Sequence, residues 1–226
     1  MSEHLVITIG RECGSGGRQI GQEIAKRMGV KCYDQELLTM CARSSGLCED
    51  IFRTHDEKPV NSFLYSLVMD TYSLGYATPG YMEMPLNQKV FLAQFETIKR
   101  LAEQESCVIV GRCADYALAD HPHVISVFIA ADEEDKIPWL MDMYGFDENK
   151  ARDFMIKSDK RRASYYNYYT NKKWGAVSSY DLCLNTSAIG RERCADIIME
   201  FAKKKEEFRN AGRVDSFANY FKDRKQ

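Results

Sequence analysis

A short apolar, β-branched run at residues 5–9 leads without a linker into Gly10-Arg11-Glu12-Cys13-Gly14-Ser15-Gly16-Gly17-Arg18-Gln19, and then into Ile20, Ile24 and Met28 at helical spacing. The pattern predicts a strand, a glycine-rich turn and a helix start. A strand feeding directly into a helix is the opening of a βα unit, which needs a parallel sheet to complete it. Those ten residues hold four glycines as well as Arg18, more than close packing of the helix on the strand requires. Glycine has no Cβ to block an approaching anion, and the helix N-terminus adds partial positive charge. The expected ligand is therefore a phosphate group.

Further runs of β-branched and apolar residues at 30–33, 107–110, 124–129 and 182–184 read as buried strands. Helical patterns lie between them. The expected fold class is α/β, a parallel β-sheet flanked by helices, in a single domain spanning residues 1–226. Residues 35–105 lack a convincing strand, and their periodic parts at 36–44, 62–74 and 87–104 predict a helical insertion. The segment from Gly75 to Tyr81 is a turn-rich break, and Pro85 reads as a helix start. Residues 147–175 begin as a helix and become polar and aromatic, with Lys157, Asp159, Lys160, Arg161 and Arg162 ahead of Tyr165, Tyr166, Tyr168, Tyr169 and Trp174. Residues 191–208 predict a final amphipathic helix.

The turn departs from both standard phosphate motifs. A dinucleotide fingerprint needs glycine where Gln19 stands. A P-loop, G-x-x-x-x-G-K-[ST], can be laid on the chain in two ways. With Gly16-Gly17 as the Gly-Lys pair the cation is missing. With Gly17-Arg18 as that pair, Arg18 supplies the cation and Gln19 replaces the hydroxyl. The second placement keeps a positive charge at the mouth of the helix and is preferred. A guanidinium can contact two phosphate oxygens at once.

The stretch Ile7-Thr8-Ile9-Gly10-Arg11-Glu12-Cys13-Gly14-Ser15-Gly16-Gly17-Arg18, with Tyr33-Asp34-Gln35-Glu36-Leu37 after it, resembles the cytidylate kinase-like family, a branch of the P-loop nucleoside monophosphate kinases. Val108-Ile109-Val110-Gly111-Arg112 looks like the strand and Gly-Arg step of that family. Asp159-Lys160-Arg161-Arg162-Ala163 resembles its arginine-rich lid, and Leu182-Cys183-Leu184-Asn185-Thr186-Ser187 its last strand and turn. The landmarks run in order over nearly the whole chain. Directly after Gly111-Arg112 the chain has Cys113, with Asp115 two residues on, where the family has an aspartate.

The resemblance implies a P-loop kinase fold with a helical insertion and a lid. It also implies ATP and Mg2+ as cofactors, a small-molecule nucleotide as partner, and phosphoryl transfer to a nucleoside monophosphate, CMP or dCMP. The alternatives are a kinase of another small metabolite and a nucleotide-binding regulatory protein without efficient transfer. Gly14, Ser15, Gly16, Gly17, Arg18 and Gln19 would hold the donor. Arg18, Lys160, Arg161 and Arg162 would act on the transferring group, although a charge run of that kind also suits a solvated helix face. Asp159 and Arg162 share a helix face at i, i+3, a spacing that suits an orienting pair. Asp34, Arg43, Arg112, Asp115 and Asp159 are the expected acceptor-side residues. Asp34 could instead cap the helix it opens, and Arg112 could form a surface ion pair. The tyrosines and Trp174 could stack a base, cover a closed lid or form a local apolar cluster.

A net charge of −2 lacks the basic excess of a dedicated nucleic-acid binder. No stretch has the apolar length of a membrane span, and the opening residues show no signal-peptide pattern, so a cytoplasmic location is expected. Eight cysteines without a CxxC pair and four histidines without ligand spacing predict reduced thiols and no protein-held metal.

Overall fold

The computed structural model describes residues 4–45, 48–57 and 85–211. Five parallel strands form one sheet in the order β2-β3-β1-β4-β5. They are β1 (Val6–Arg11), β2 (Lys31–Tyr33), β3 (Cys107–Val110), β4 (Val124–Ala130) and β5 (Leu182–Asn185). β1 lies at the centre, pairing Val6 with both Cys107 and Val124 and Ile9 with both Val110 and Val127. The expected strands are all present, each within two residues of the sequence reading.

Side chains alternate across each strand, so two apolar layers form. On one face Ile7, Ile9, Val108, Ile125, Val127 and Ile129 meet Ile20 and Ile24 of α1 (Gly17–Met28) and Cys194, Ala195 and Ile198 of the C-terminal helix. On the other face Val6, Cys107 and Ile109 meet α2 (Glu36–Ser45), α3 (Glu49–His55) and α4 (Leu86–Gln104). Burying each such branched side chain contributes about 1.5–3 kcal/mol. Because both faces are covered, the central strands read as unbroken apolar runs rather than as alternating ones.

Helices α2, α3 and α4 lie in the chain between β2 and β3, the place expected for the insertion. The helix expected at 62–74 and the break from Gly75 to Tyr81 lie outside the described residues. α3 escapes the sequence reading because seven residues carry too little periodicity. After β3 come α5 (Ala114–Ala117) and β4, then α6 (Glu133–Tyr144) and α7 (Glu148–Thr170). They are followed by β5, α8 (Thr186–Ile189) and α9 (Arg191–Asn210). α7 is one helix of 23 residues that carries the whole tyrosine group, where the sequence reading has the helix giving way to a polar, aromatic stretch. Tyr165, Tyr166 and Tyr169 face inward against Phe91 and Leu92 of α4, with Phe91 and Tyr169 stacked at 3.9 Å between ring centroids. The tyrosines are therefore the seam that docks α7 on α4.

Candidate active site

The glycine turn joins the C-terminal end of β1 to α1. Gly14 and Gly16 adopt φ of +83° and +80°, the left-handed region open to glycine. A Cβ on Gly16 would come within 2.5 Å of the Arg191 side chain. Thr186 hooks the turn from the other side, its hydroxyl donating to the carbonyls of Ser15 (2.9 Å) and Ala130 (3.2 Å). The Ser15 hydroxyl is spent inside the turn on the Glu12 carbonyl. No side chain caps α1 at Gly16, so the first-turn N–H groups are left for an external acceptor.

Arg18 projects from the first turn of α1 and pairs with Asp34, Nε to Oδ2, at 2.9 Å. Gln19 lines a surface groove with Arg191 rather than reaching Asp34. A buried ammonium also stands by the turn. Lys136 of α6 packs its stem on Gly14 and donates to Glu12 at 2.8 Å. Sequence reasoning missed Lys136, because no motif marks it and its partner is 124 positions away.

On the other side of β1, Gly111, Arg112 and Cys113 take positive φ in succession, at 80°, 55° and 55°. A left-handed conformation costs of order 1–3 kcal/mol at a non-glycine residue and concentrates at functional positions. The turn drives Arg112 inward until its side chain is 2% exposed. Its guanidinium holds Asp34 at 3.0 Å, Asp56 at 3.1 Å and the Val110 carbonyl at 3.0 Å, while its Nε meets no partner among the described residues. Burial opposes the charge, but Asp56, Asp34 and Glu57 together push the Arg112 pKa up. Burial raises the Asp56 pKa against the pull of Arg112.

Glu57 joins a second pair of guanidiniums, Arg11 at 2.9 Å and Arg162 of α7 at 3.3 Å. Burial works against its ionised form, yet Arg11, Arg162 and Arg112 override it and hold the carboxyl at about 2. Arg162 also lies 3.5 Å from Asp159 and 3.5 Å from the Arg11 carbonyl. Asp159 in turn accepts the Cys13 N–H at 2.7 Å. Burial pushes Asp159 up to about 6, only partly offset by Cys13 and Arg162.

The expected lid residues therefore separate by helix face. Asp159 and Arg162 turn inward, while Lys157, Lys160 and Arg161 are exposed, with Lys157 paired to Asp153. Asp115 accepts the Tyr166 hydroxyl at 2.7 Å, its carboxyl raised by burial. Arg43 is exposed in the last turn of α2, where its charge acts on Glu49. Arg11, Asp56 and Glu57 were not expected. Arg11 is inside the glycine stretch but outside its phosphate-binding half, and Asp56 and Glu57 lie just past a helix with no sequence signature.

The strand order, the glycine turn on β1 and the long helix bearing Arg162 define a P-loop kinase fold. Residues 6–188 match the cytidylate kinase-like family, and the chain belongs to it. A crystal structure of an uncharacterized protein from Eubacterium ventriosum is similar at 30% identity and a TM-score of 0.65, covering 88% of this chain and 99% of its own. Shikimate kinase from Bacteroides thetaiotaomicron shares the fold at 14% identity and a TM-score of 0.51, covering 88% of this chain and 98% of its own. No curated protein matches the chain significantly. Fold and family are those of kinases acting on nucleotides or small metabolites. Among the described residues no helix is long and apolar enough to cross a membrane.

Proposed function

We propose that this chain, a single domain, transfers the γ-phosphoryl group of ATP to a nucleoside monophosphate, CMP or dCMP. The family supports a nucleotide substrate, and the engagement of the acceptor-side carboxylates supports a phosphate as the nucleophile. Both oxygens of Asp34 are held by guanidiniums, Oδ1 by Arg112 and Oδ2 by Arg18. Asp56 is likewise held by Arg112 and Gln94. With both oxygens paired, Asp34 is badly placed to take the proton of a hydroxyl acceptor, which would need a general base. The oxygen of an ionised phosphate monoester attacks without one.

Glycine turn and helix N-terminus fit a polyphosphate, since Gly14 and Gly16 take positive φ and no side chain caps the first turn of α1. A cavity of about 260 Å3 beside Gly14 and Ser15, bounded by Trp139, Thr186, Gly190 and Arg191, gives the donor's base and ribose a place to lie. Among the described residues no three His, Cys, Asp or Glu side chains gather to hold a metal. Magnesium would arrive on the phosphates of ATP and keep mostly phosphate and water ligands, neutralising charge there. Lys136 adds a positive charge beside the turn. Arg162 stands between the turn and the acceptor side, where a guanidinium stabilises charge on a phosphoryl group in transit. Arg112 and Arg18 hold Asp34, and the Arg112 Nε, without a partner among the described residues, is placed to serve an acceptor oxygen.

The deciding measurement follows ADP release from ATP and magnesium across nucleoside monophosphates and small hydroxyl metabolites. Turnover is expected with CMP or dCMP. Turnover confined to a hydroxyl metabolite, or ATP binding with no turnover at all, would overturn the reading.

A further inference from the structure

Glu57 is bound as a ligand would be. Its two carboxylate oxygens are shared between two guanidiniums from different elements, Oε1 to Arg11 at the end of β1 and Oε2 to Arg162 on α7. Bridging of this kind is how arginines grip two oxygens of a phosphate or carboxylate. The backbone bends to allow it, because Glu57 has a φ of +53°. Gly111 lets the pair sit against the backbone, since a Cβ there would run into the Arg11 guanidinium and lie 3.1 Å from Glu57 Oε1. The cavity left around these groups measures about 20 Å3, a volume for about one water. No phosphate fits between Arg11 and Arg162 while the Glu57 carboxylate is in place.

We propose that Arg11 and Arg162 form an oxyanion seat for the anionic group of the acceptor, and that Glu57 fills this seat as an internal ligand which the acceptor displaces. The seat rests on the reading of the chain as a kinase of a phosphorylated acceptor, and it adds Arg11 and Glu57 to that site. Displacement leaves Arg162 with partners, since Asp159 and the Arg11 carbonyl already lie 3.5 Å from it. The arginine pair thus persists in both states, and only the anion between them changes. Selectivity follows. An uncharged acceptor cannot replace a carboxylate gripped by two guanidiniums, so the internal ligand screens out neutral compounds that a bare cavity would admit.

The test titrates inorganic phosphate alone into the full chain by calorimetry, for the wild type, Glu57→Gln, Arg11→Met and the double variant. Phosphate held by the glycine turn is a background common to all four. Glu57→Gln is expected to tighten phosphate about tenfold or more, as a vacated charge-assisted seat would. The same substitution made in Arg11→Met is expected to give no gain. Equal affinity of Glu57→Gln and wild type, or a gain that survives Arg11→Met, overturns the seat. Should Glu57→Gln not fold, Glu57→Asp withdraws the carboxylate by one methylene and is read in the same way. Turnover with CMP is scored separately. A chain that phosphorylates CMP without the phosphate gain keeps its function and loses the seat, and the converse result keeps the seat and loses the function.

Discussion

Asp159 is a carboxylate whose protonation the fold alters. Burial raises its carboxyl to about 6, above the value in the unfolded chain, so the folded state holds the proton more tightly. The resulting cost to stability is absent below about pH 4, grows as pH rises, and is complete above about pH 6. Asp159→Asn keeps an oxygen for the Cys13 N–H and removes the charge. It is expected to be about 1–3 kcal/mol more stable than the wild type at pH 7.5 and equal to it near pH 4, as read from urea midpoints across that range. Arg112 is the opposite case, a buried charge whose partners depend on it. Arg112→Met leaves Asp34 and Asp56 without their shared guanidinium and is expected to cost about 3–5 kcal/mol in urea denaturation. Asp34 and Arg112 were legible because each follows a strand at the sheet edge where α/β proteins bind ligands. Glu57 was not. Its guanidinium partners are 46 and 105 positions away, and nothing local announces a residue whose surroundings are assembled by the sheet and α7.

α7 shows how a single helix divides one charge run between two roles. Asp159 and Arg162 lie three apart and face the glycine turn, while Lys160 and Arg161 fall on the solvent side. Arg162→Ala is accordingly expected to lower kcat by about a hundredfold or more, against less than about threefold for Lys160→Ala. Steady-state rates with ATP and the best acceptor check the contrast. The run was visible in the sequence, but which cation turned inward depended on where α7 docks. Docking is set by the tyrosines. Their i, i+4 spacing was readable once the helix was known to continue through Thr170, and polarity at Ser164, Asn167 and Thr170 concealed that continuation. Tyr169→Ala removes the ring stacked on Phe91 and is expected to cost about 3–5 kcal/mol in thermal or urea unfolding, loosening α7 from α4.

At the scale of the whole molecule the sheet was the most legible part, because β1, β3 and β4 are buried on both faces and their apolar runs have no other reading. The order of the strands was not written locally, since parallel neighbours are joined through helices. That order has a consequence for how the protein is made. Of the five strands β1 leaves the ribosome first, yet both of its partners come from residues 107–130. Until then it is an apolar segment with two open edges. The turn behind it waits longer still, since Thr186 and Arg191, which clasp it, follow β5, the last of the five strands. The glycine turn should therefore take its final form late in translation rather than gradually. Dependence on such distant contacts comes with placing the glycine turn at the end of the central strand.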